Sequence, residues 1–264
     1  KWQLQLEPQS AGGPHQMVFT GSNTITVNDV LFGDVWLCSG QSNMELTMER
    51  VRYKYADVVE KANNNAIRQF EVPDRYQFTG PEADLPSGKW LPATKENILK
   101  FSAVAYFFAD DLYRTYGVPI GLVNAALGGS PAEAWISESA LKNFPVPYAE
   151  AQKFKDSNLI QQIESADRNA QQNWHNQLAE KDLGIKNKWA APPLDEKDWM
   201  DIDLPRFWSE AALGKVNGSV WFRKNIQLTE EQSKQPAEIL LGRIVDADSV
   251  FINGHFVGTT SYQY

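Results

Sequence analysis

Gly40-Gln41-Ser42-Asn43-Met44 ends a compact apolar run, Asp34 to Ser39, that is flanked by Gly33 and Gly40. Such a run reads as a buried parallel strand. A helical pattern of Met44, Leu46, Met48, Val51, Tyr55, Val58 and Val59 follows it. A serine on a strand-to-helix turn has an exposed hydroxyl at the sheet end where α/β proteins place ligand sites. Amides at the start of the following helix can face negative charge developing on a substrate oxygen. The chemistry such a serine could do is acyl transfer, in which the hydroxyl attacks a carbonyl and an acyl-serine forms. Met44 occupies the place of the second glycine of a Gly-x-Ser-x-Gly elbow, so this is not the α/β-hydrolase nucleophile turn. Ser42 would equally serve as N-cap of the helix, because Ser and Asn are both favoured caps. Spacing alone leaves both roles open.

A serine nucleophile needs a base, and the chain has three histidines. His15 lies in a turn, His175 in a polar helix and His255 in a hairpin, all ordinary surface positions. Cys38 is the single cysteine, so no disulfide forms within the chain. Its apolar surroundings, Val35-Trp36-Leu37, make it a buried structural thiol. No zinc-type Cys or His spacing is present, and neither a metal nor an organic cofactor is implied. The net charge of −8 argues against nucleic-acid binding, which needs clustered Lys and Arg. No apolar stretch approaches a membrane span.

The elements that must position Ser42 follow an α/β order. Residues 2–6 and 17–31 read as strands separated by the turn Ala11-Gly12-Gly13-Pro14. Residues 73–100 read as loop. Ser102 to Tyr116 is an amphipathic helix with Ser102 as N-cap, Val104, Phe107, Phe108 and Leu112 on its buried face, and Gly117-Val118-Pro119 as its stop. Ile120 to Ala126 is a second short apolar strand, followed by Gly128-Gly129-Ser130-Pro131. Strand, helix, strand predicts a parallel sheet with crossover helices. Tyr148 to about Leu183 is polar and free of Pro and Gly, which predicts one or two long surface helices closed by Gly184. Lys188 to Pro205 is a connector. Val220–Lys224, Glu238–Gly242 and Ser249–Ile252 are strand-like, with a hairpin at Asn253-Gly254; together they read as the opening of a β-sandwich. The expected division is an N-terminal β segment over 1–32, a catalytic core over 33–187 and the start of a sandwich over 188–264. No signal peptide precedes residue 1, and the chain starts within a strand-like segment, so the sequence is silent on location.

Gly33 to Met44 resembles the nucleophile block of the sialate O-acetylesterases and related carbohydrate esterases. Val118 to Asn124, with Gly128 to Ile136, resembles that family's second block. The family are SGNH hydrolases with a flavodoxin-like, three-layer α/β core. The resemblance implies that Ser42 is the nucleophile and that Gly129, or failing it Gly128, gives an amide to the oxyanion hole. Gln41, Asn43 and Glu133, in or beside the two blocks, are the candidate substrate-binding residues. It also implies an O-acetylated sialic acid or plant polysaccharide as substrate, and hence a secreted or periplasmic location. Residues 218–224, 242–248 and 253–258 are similar to galactose-binding-like jelly rolls, which interrupt some of these esterases.

The chain departs from the family at the base. SGNH hydrolases place an aspartate three residues before the histidine; here those positions hold Gly12, Gln172 and Ile252. A Gly-Glu-Ser-Asn-like third block is also absent. The expectation is that the base lies beyond a jelly roll within which this sequence ends, and that this polypeptide by itself has little esterase activity.

A second reading is a non-catalytic carbohydrate-binding protein, with Trp90, Trp135, Trp189 and Trp208 stacking on sugar faces rather than packing in cores. A pure binding module has no reason to carry the Gly40–Met44 block. Glu45 and Glu133 near the two blocks could each bond a sugar hydroxyl or hold a loop. A third reading, part of a glycosidase, explains neither block, and nothing fixes the separation of those two carboxylates.

Overall fold

The computed structural model describes residues 3–242, 244 and 247–260. Val, Ile and Thr recur from residue 17 to 31 around Gly21-Ser22-Asn23, and this segment folds as an antiparallel hairpin of β1 (Gly12–Thr20) and β2 (Thr24–Phe32), with Thr20 opposite Thr24. The turn therefore lies at residues 21–23, where small and polar residues favour it. It does not lie at Ala11–Pro14, because Gly12 is drawn into β1 opposite Phe32. Residues 3–6 form no strand; Trp2, read as part of one, lies outside the described residues.

The chain divides into two compact units between Lys155 and Asp156. The first is a mixed α/β structure around a mostly parallel four-stranded sheet. Its strands are β3 (Asp34–Gly40), β4 (Asn63–Glu71), β5 (Trp90–Thr94) and β6 (Ile120–Ala126), in the order β3-β6-β4-β5. The β3/β6 and β6/β4 pairs are parallel and β4/β5 is antiparallel. Sequence reading took residues 90–94 for loop. Pro92 donates no amide to a ladder, and β5 accommodates it as an edge strand. β3 is the other edge. Its apolar run is consequently not buried as expected: Val35, Trp36 and Leu37 are 66%, 43% and 71% exposed, and only Cys38 is covered.

The predicted helix after Ser42 is broken into α1 (Ser42–Glu45), α2 (Met48–Val51) and α3 (Ala56–Lys61). The break has a local cause. The backbone at Leu46-Thr47-Met48 leaves helical geometry to pair with residues 101–103, through Met48 N–H to the Phe101 carbonyl and Ala103 N–H to the Leu46 carbonyl. α4 (Ala103–Tyr116) forms as predicted: the Ser102 hydroxyl accepts from Ala105 N–H, and Gly117 at φ +68° ends the helix. Its buried face is Ala105, Tyr106 and Ala109, while Val104 and Phe108 are 49% and 40% exposed. Alanine lets the helix backbone lie close to the sheet, while Phe107 and Leu112, partly buried, pack against the core as expected. Met48, Ile67, Ile98, Phe101 and Leu122 are fully buried at the centre of this unit. Two further helices, α5 (Glu138–Leu141) and α6 (Pro145–Lys153), complete it.

The second unit opens with α7 (Ser157–Lys181), a polar helix capped by Asp156, then α8 (Leu183–Lys186), capped by Asp182. The Asp182 carboxylate accepts the Trp221 indole N–H at 2.9 Å, and Gly184 packs against the same ring. Trp189, Trp199, Trp221, Phe251 and Phe256 form a chain of ring contacts. α9 (Glu230–Ser233) starts with a capping box from Thr229 and Gln232. β7 (Asp248–Ile252) and β8 (His255–Thr260) form the hairpin that Asn253-Gly254 predicted. No jelly-roll sandwich is evident among the described residues. Val220–Lys224 and Glu238–Gly242 are not strands; Arg243, Val245 and Asp246 of the similar stretch lie outside the described residues. A strand needs a partner for its amides and carbonyls, and β7 and β8 pair only with each other.

Candidate active site

The parallel register of β3 and β6 brings the two glycine-containing segments together. Gly40 is opposite Ala126, and one step further Leu127 N–H donates to the Gly40 carbonyl at 3.0 Å. Residues 41–45 and 127–130 therefore leave the carboxyl ends of adjacent strands side by side. The Gln41 amide donates to the Ser130 carbonyl at 3.3 Å, and the buried Ser130 hydroxyl donates to the Leu127 carbonyl at 2.6 Å. The Trp135 indole N–H in turn donates to that hydroxyl at 2.9 Å. Gln41 and Trp135 thus hold the second loop in place.

Ser42 is exposed at the start of α1. Its capping role is not realised: the N-cap is Gln41, which makes no side-chain cap bond. Among the described residues, the Ser42 hydroxyl has no hydrogen-bond partner, and neither Ser42 N–H nor Gly129 N–H donates to the chain. The helix that begins at Ser42 has four residues, so the Ser42 and Gly129 amides, rather than a long helix dipole, are the donors available here. Gly129 has φ +75°, a left-handed conformation that glycine adopts without penalty. Gly128 is a close-approach position. A Cβ added there would lie 3.6 Å from Ser42 Cβ and collide with the Glu45 carboxylate. Gly128 N–H donates to Glu45 Oε2 at 2.6 Å. The two glycines therefore differ: the Gly128 amide is occupied and the Gly129 amide is free.

Asn43 and Glu133 are exposed, Glu133 on the short 3-10 turn Ala132–Trp135. Sequence reading missed two residues that the sheet brings near. Glu71 ends β4 opposite Asn124 of β6, which is opposite Cys38 of β3. Partial burial pushes the Glu71 carboxyl above its ordinary range; the Asp74 and Glu45 charges add to this and Lys100 opposes it. The buried side-chain Oδ1 of Asn124 has no hydrogen-bond partner among the described residues, whereas its backbone carbonyl accepts from Val72 N–H at 2.9 Å. Neither residue carries a motif, and only strand register makes them neighbours. Burial also pushes the Cys38 thiol up, as a structural thiol would be.

No histidine bonds to Ser42 among the described residues. The His15 ring packs against Phe32 at 5.2 Å, and His175 and His255 belong to the second unit. The tryptophans named as sugar platforms pack against other groups. Trp90 meets Phe70, Trp189 meets Trp199 and Trp221, Trp208 meets Phe222, and Trp135 is tied to Ser130. Among the described residues no group of three His, Cys, Asp or Glu could hold a metal ion, and no helix is long and apolar enough to cross a membrane.

The family described as carbohydrate esterase, sialic acid-specific acetylesterase, matches residues 32–180. The sialate O-acetylesterase of Rattus norvegicus is 39% identical over 158 residues, which are 55% of this chain and 29% of that protein. The sialate O-acetylesterase of Homo sapiens is 36% identical over 157 residues, 55% of this chain and 30% of that one. The crystal structure of a carbohydrate acetylesterase from Xanthomonas citri matches at 41% identity with a TM-score of 0.50, over 54% of this chain and 33% of that chain. This chain spans about 30% of the length of the curated relatives it matches.

Proposed function

The chain belongs to the family of sialic acid-specific carbohydrate acetylesterases, and on that premise we propose that Ser42 is the nucleophile that takes an acetyl group from a sugar hydroxyl. The observation that carries this reading is an exposed serine hydroxyl, without a partner among the described residues, on the loop against which Gly128 packs, with the Ser42 and Gly129 amides both unbonded. The hydroxyl adds to the ester carbonyl, and its oxygen becomes an oxyanion toward which both N–H groups can donate. Collapse expels the sugar alkoxide, which takes up a proton. Water then releases acetate from acetyl-Ser42. A serine just past the carboxyl end of the first strand of a mostly parallel sheet supports the narrower assignment of this unit to the SGNH type. O-acetylated sialic acid is the substrate we favour, from what the relatives are named for.

The group that deprotonates Ser42 is not among its partners here. About 70% of the length of the curated relatives lies outside the match, and we infer that the base belongs to that part. Without a base a hydroxyl is a weak nucleophile, and hydrolysis of the acyl-serine is slow for the same reason. The test uses that slowness. With p-nitrophenyl acetate, whose leaving group needs no proton, the chain should accumulate one acetyl group on Ser42. Peptide mass mapping locates it, and Ser42→Ala should lose it. Acetyl groups spread over exposed lysines and serines, with Ser42 unlabelled, would overturn the assignment.

A further inference from the structure

Resting on the Ser42 reading, we propose that Glu45 is a positioning residue that decides which glycine amide serves the oxyanion hole. Glu45 is in the same helical turn as Ser42, and its half-buried carboxylate reaches across to the second loop to take the Gly128 N–H at 2.6 Å. This is the charge-assisted type of hydrogen bond, short and directional. It has two consequences. It withdraws Gly128 N–H from any role at a substrate oxygen. It also fixes the Leu127–Gly128 peptide plane, which directly precedes the plane carrying the Gly129 N–H, the one free amide of the pair, and Gly129 then turns the chain away at a left-handed φ of +75°. A Cβ at Gly128 would take the place of the Glu45 carboxylate oxygen and push it away, so glycine here is what lets the bond form.

The role is geometric rather than electrostatic. A carboxylate beside a developing oxyanion is adverse, since like charges repel. The Glu45 charge is also felt at Glu71, where it and Asp74 raise the carboxyl further above its ordinary range. What Glu45 supplies is an oxygen acceptor at a fixed place. Glu45→Gln keeps that acceptor and removes the charge, whereas Glu45→Ala removes both.

The experiment compares the full chain with these two variants by two readouts. The first is hydrogen exchange of the Gly128 and Gly129 amides by NMR, with Leu122 as a folded-core control. The second is the rate of Ser42 acetylation by p-nitrophenyl acetate. The expected result is a Gly128 amide protected in the parent, exposed in Glu45→Ala and protected again in Glu45→Gln. The acetylation rate should fall at least about tenfold in Glu45→Ala, a smaller loss than the roughly hundredfold or more that follows outright removal of an oxyanion donor, because the Gly129 amide is misplaced rather than deleted. It should be largely retained in Glu45→Gln. An equal rate in Glu45→Ala, with Ser42 still acetylated in the parent, overturns the positioning role alone. A Gly128 amide that exchanges as fast in the parent as in Glu45→Ala overturns it as well, whatever the rates. A parent in which Ser42 is never acetylated, although Gly128 is protected as expected, overturns the serine reading and the role built on it.

Discussion

Gly129 sits at φ +75° in open space, while Gly128 lies against Ser42 and the Glu45 carboxylate. Substitution should separate them. Gly129→Ala adds a Cβ to a left-handed residue, at a cost of about 1–2 kcal/mol, read as a lower urea midpoint. Gly128→Ala displaces Glu45 and should cost more in Ser42 acetylation than in stability. Glu71 makes a pH prediction. Its folded-state carboxyl lies above the ordinary range, so the folded chain holds its proton more tightly than the unfolded one. The strain is absent at low pH, where both states are protonated. It sets in as pH rises through the ordinary carboxylate range and is complete above the raised value. Glu71→Gln should therefore stabilise the chain at neutral pH and leave it unchanged at acid pH; a urea midpoint difference that does not grow with pH would contradict this. Ser42, Gly128 and Gly129 were legible as candidates because glycine and serine types mark such turns. The division of labour between the glycines was not legible, because it depends on a carboxylate 83 residues away in sequence.

Ser102 to Gly117 is the element that the sequence describes most completely. A cap, a 3.6-residue period and a left-handed stop are all local. Ser102→Ala removes the hydroxyl that accepts from Ala105 N–H and should cost about 1 kcal/mol, read by urea unfolding. Phe107 and Leu112 pack against the core as expected, but Val104 and Phe108 are exposed and Ala105, Tyr106 and Ala109 take the most buried positions, because closeness to the sheet is a tertiary quantity. The helix after Ser42 was overextended for a related reason: nothing in Leu46-Thr47 announces that its backbone bonds go to residues 101–103. In the second unit Asp182 joins elements across the chain. Partial burial works against its charge, but bonds from the Trp221 indole, the Ile185 and Gly184 amides and the Ser219 side chain outweigh that and hold the carboxyl below its ordinary value. Its support is thus present above the ordinary carboxylate range and lost as pH falls through the lowered value.

The whole chain carries a net charge of −8, yet β3 presents Val35 and Leu37 at 66% and 71% exposure on a sheet edge. Unpaired apolar edges pair with other chains. Leu37→Lys should reduce self-association, measured by light scattering over a concentration series, without changing the thermal midpoint. The apolar run was legible as a parallel strand, and its pairing with β6 agrees. Its burial was not legible, because periodicity cannot distinguish an edge strand from a central one.

The sequence by itself determined the α/β class, the helix limits set by Ser102 and Gly117, the hairpin at Asn253-Gly254 and the family, through two blocks of residues around Ser42 and Gly129. Each rests on local chemistry: caps, turns and the spacing of apolar side chains. Tertiary structure alone decided the strand order, the adjacency of Glu71, Asn124 and Cys38, and the bond from Gly128 to Glu45. These depend on which strands lie side by side and in what register. That is settled by the free energy of the whole packed sheet and not by any segment of it.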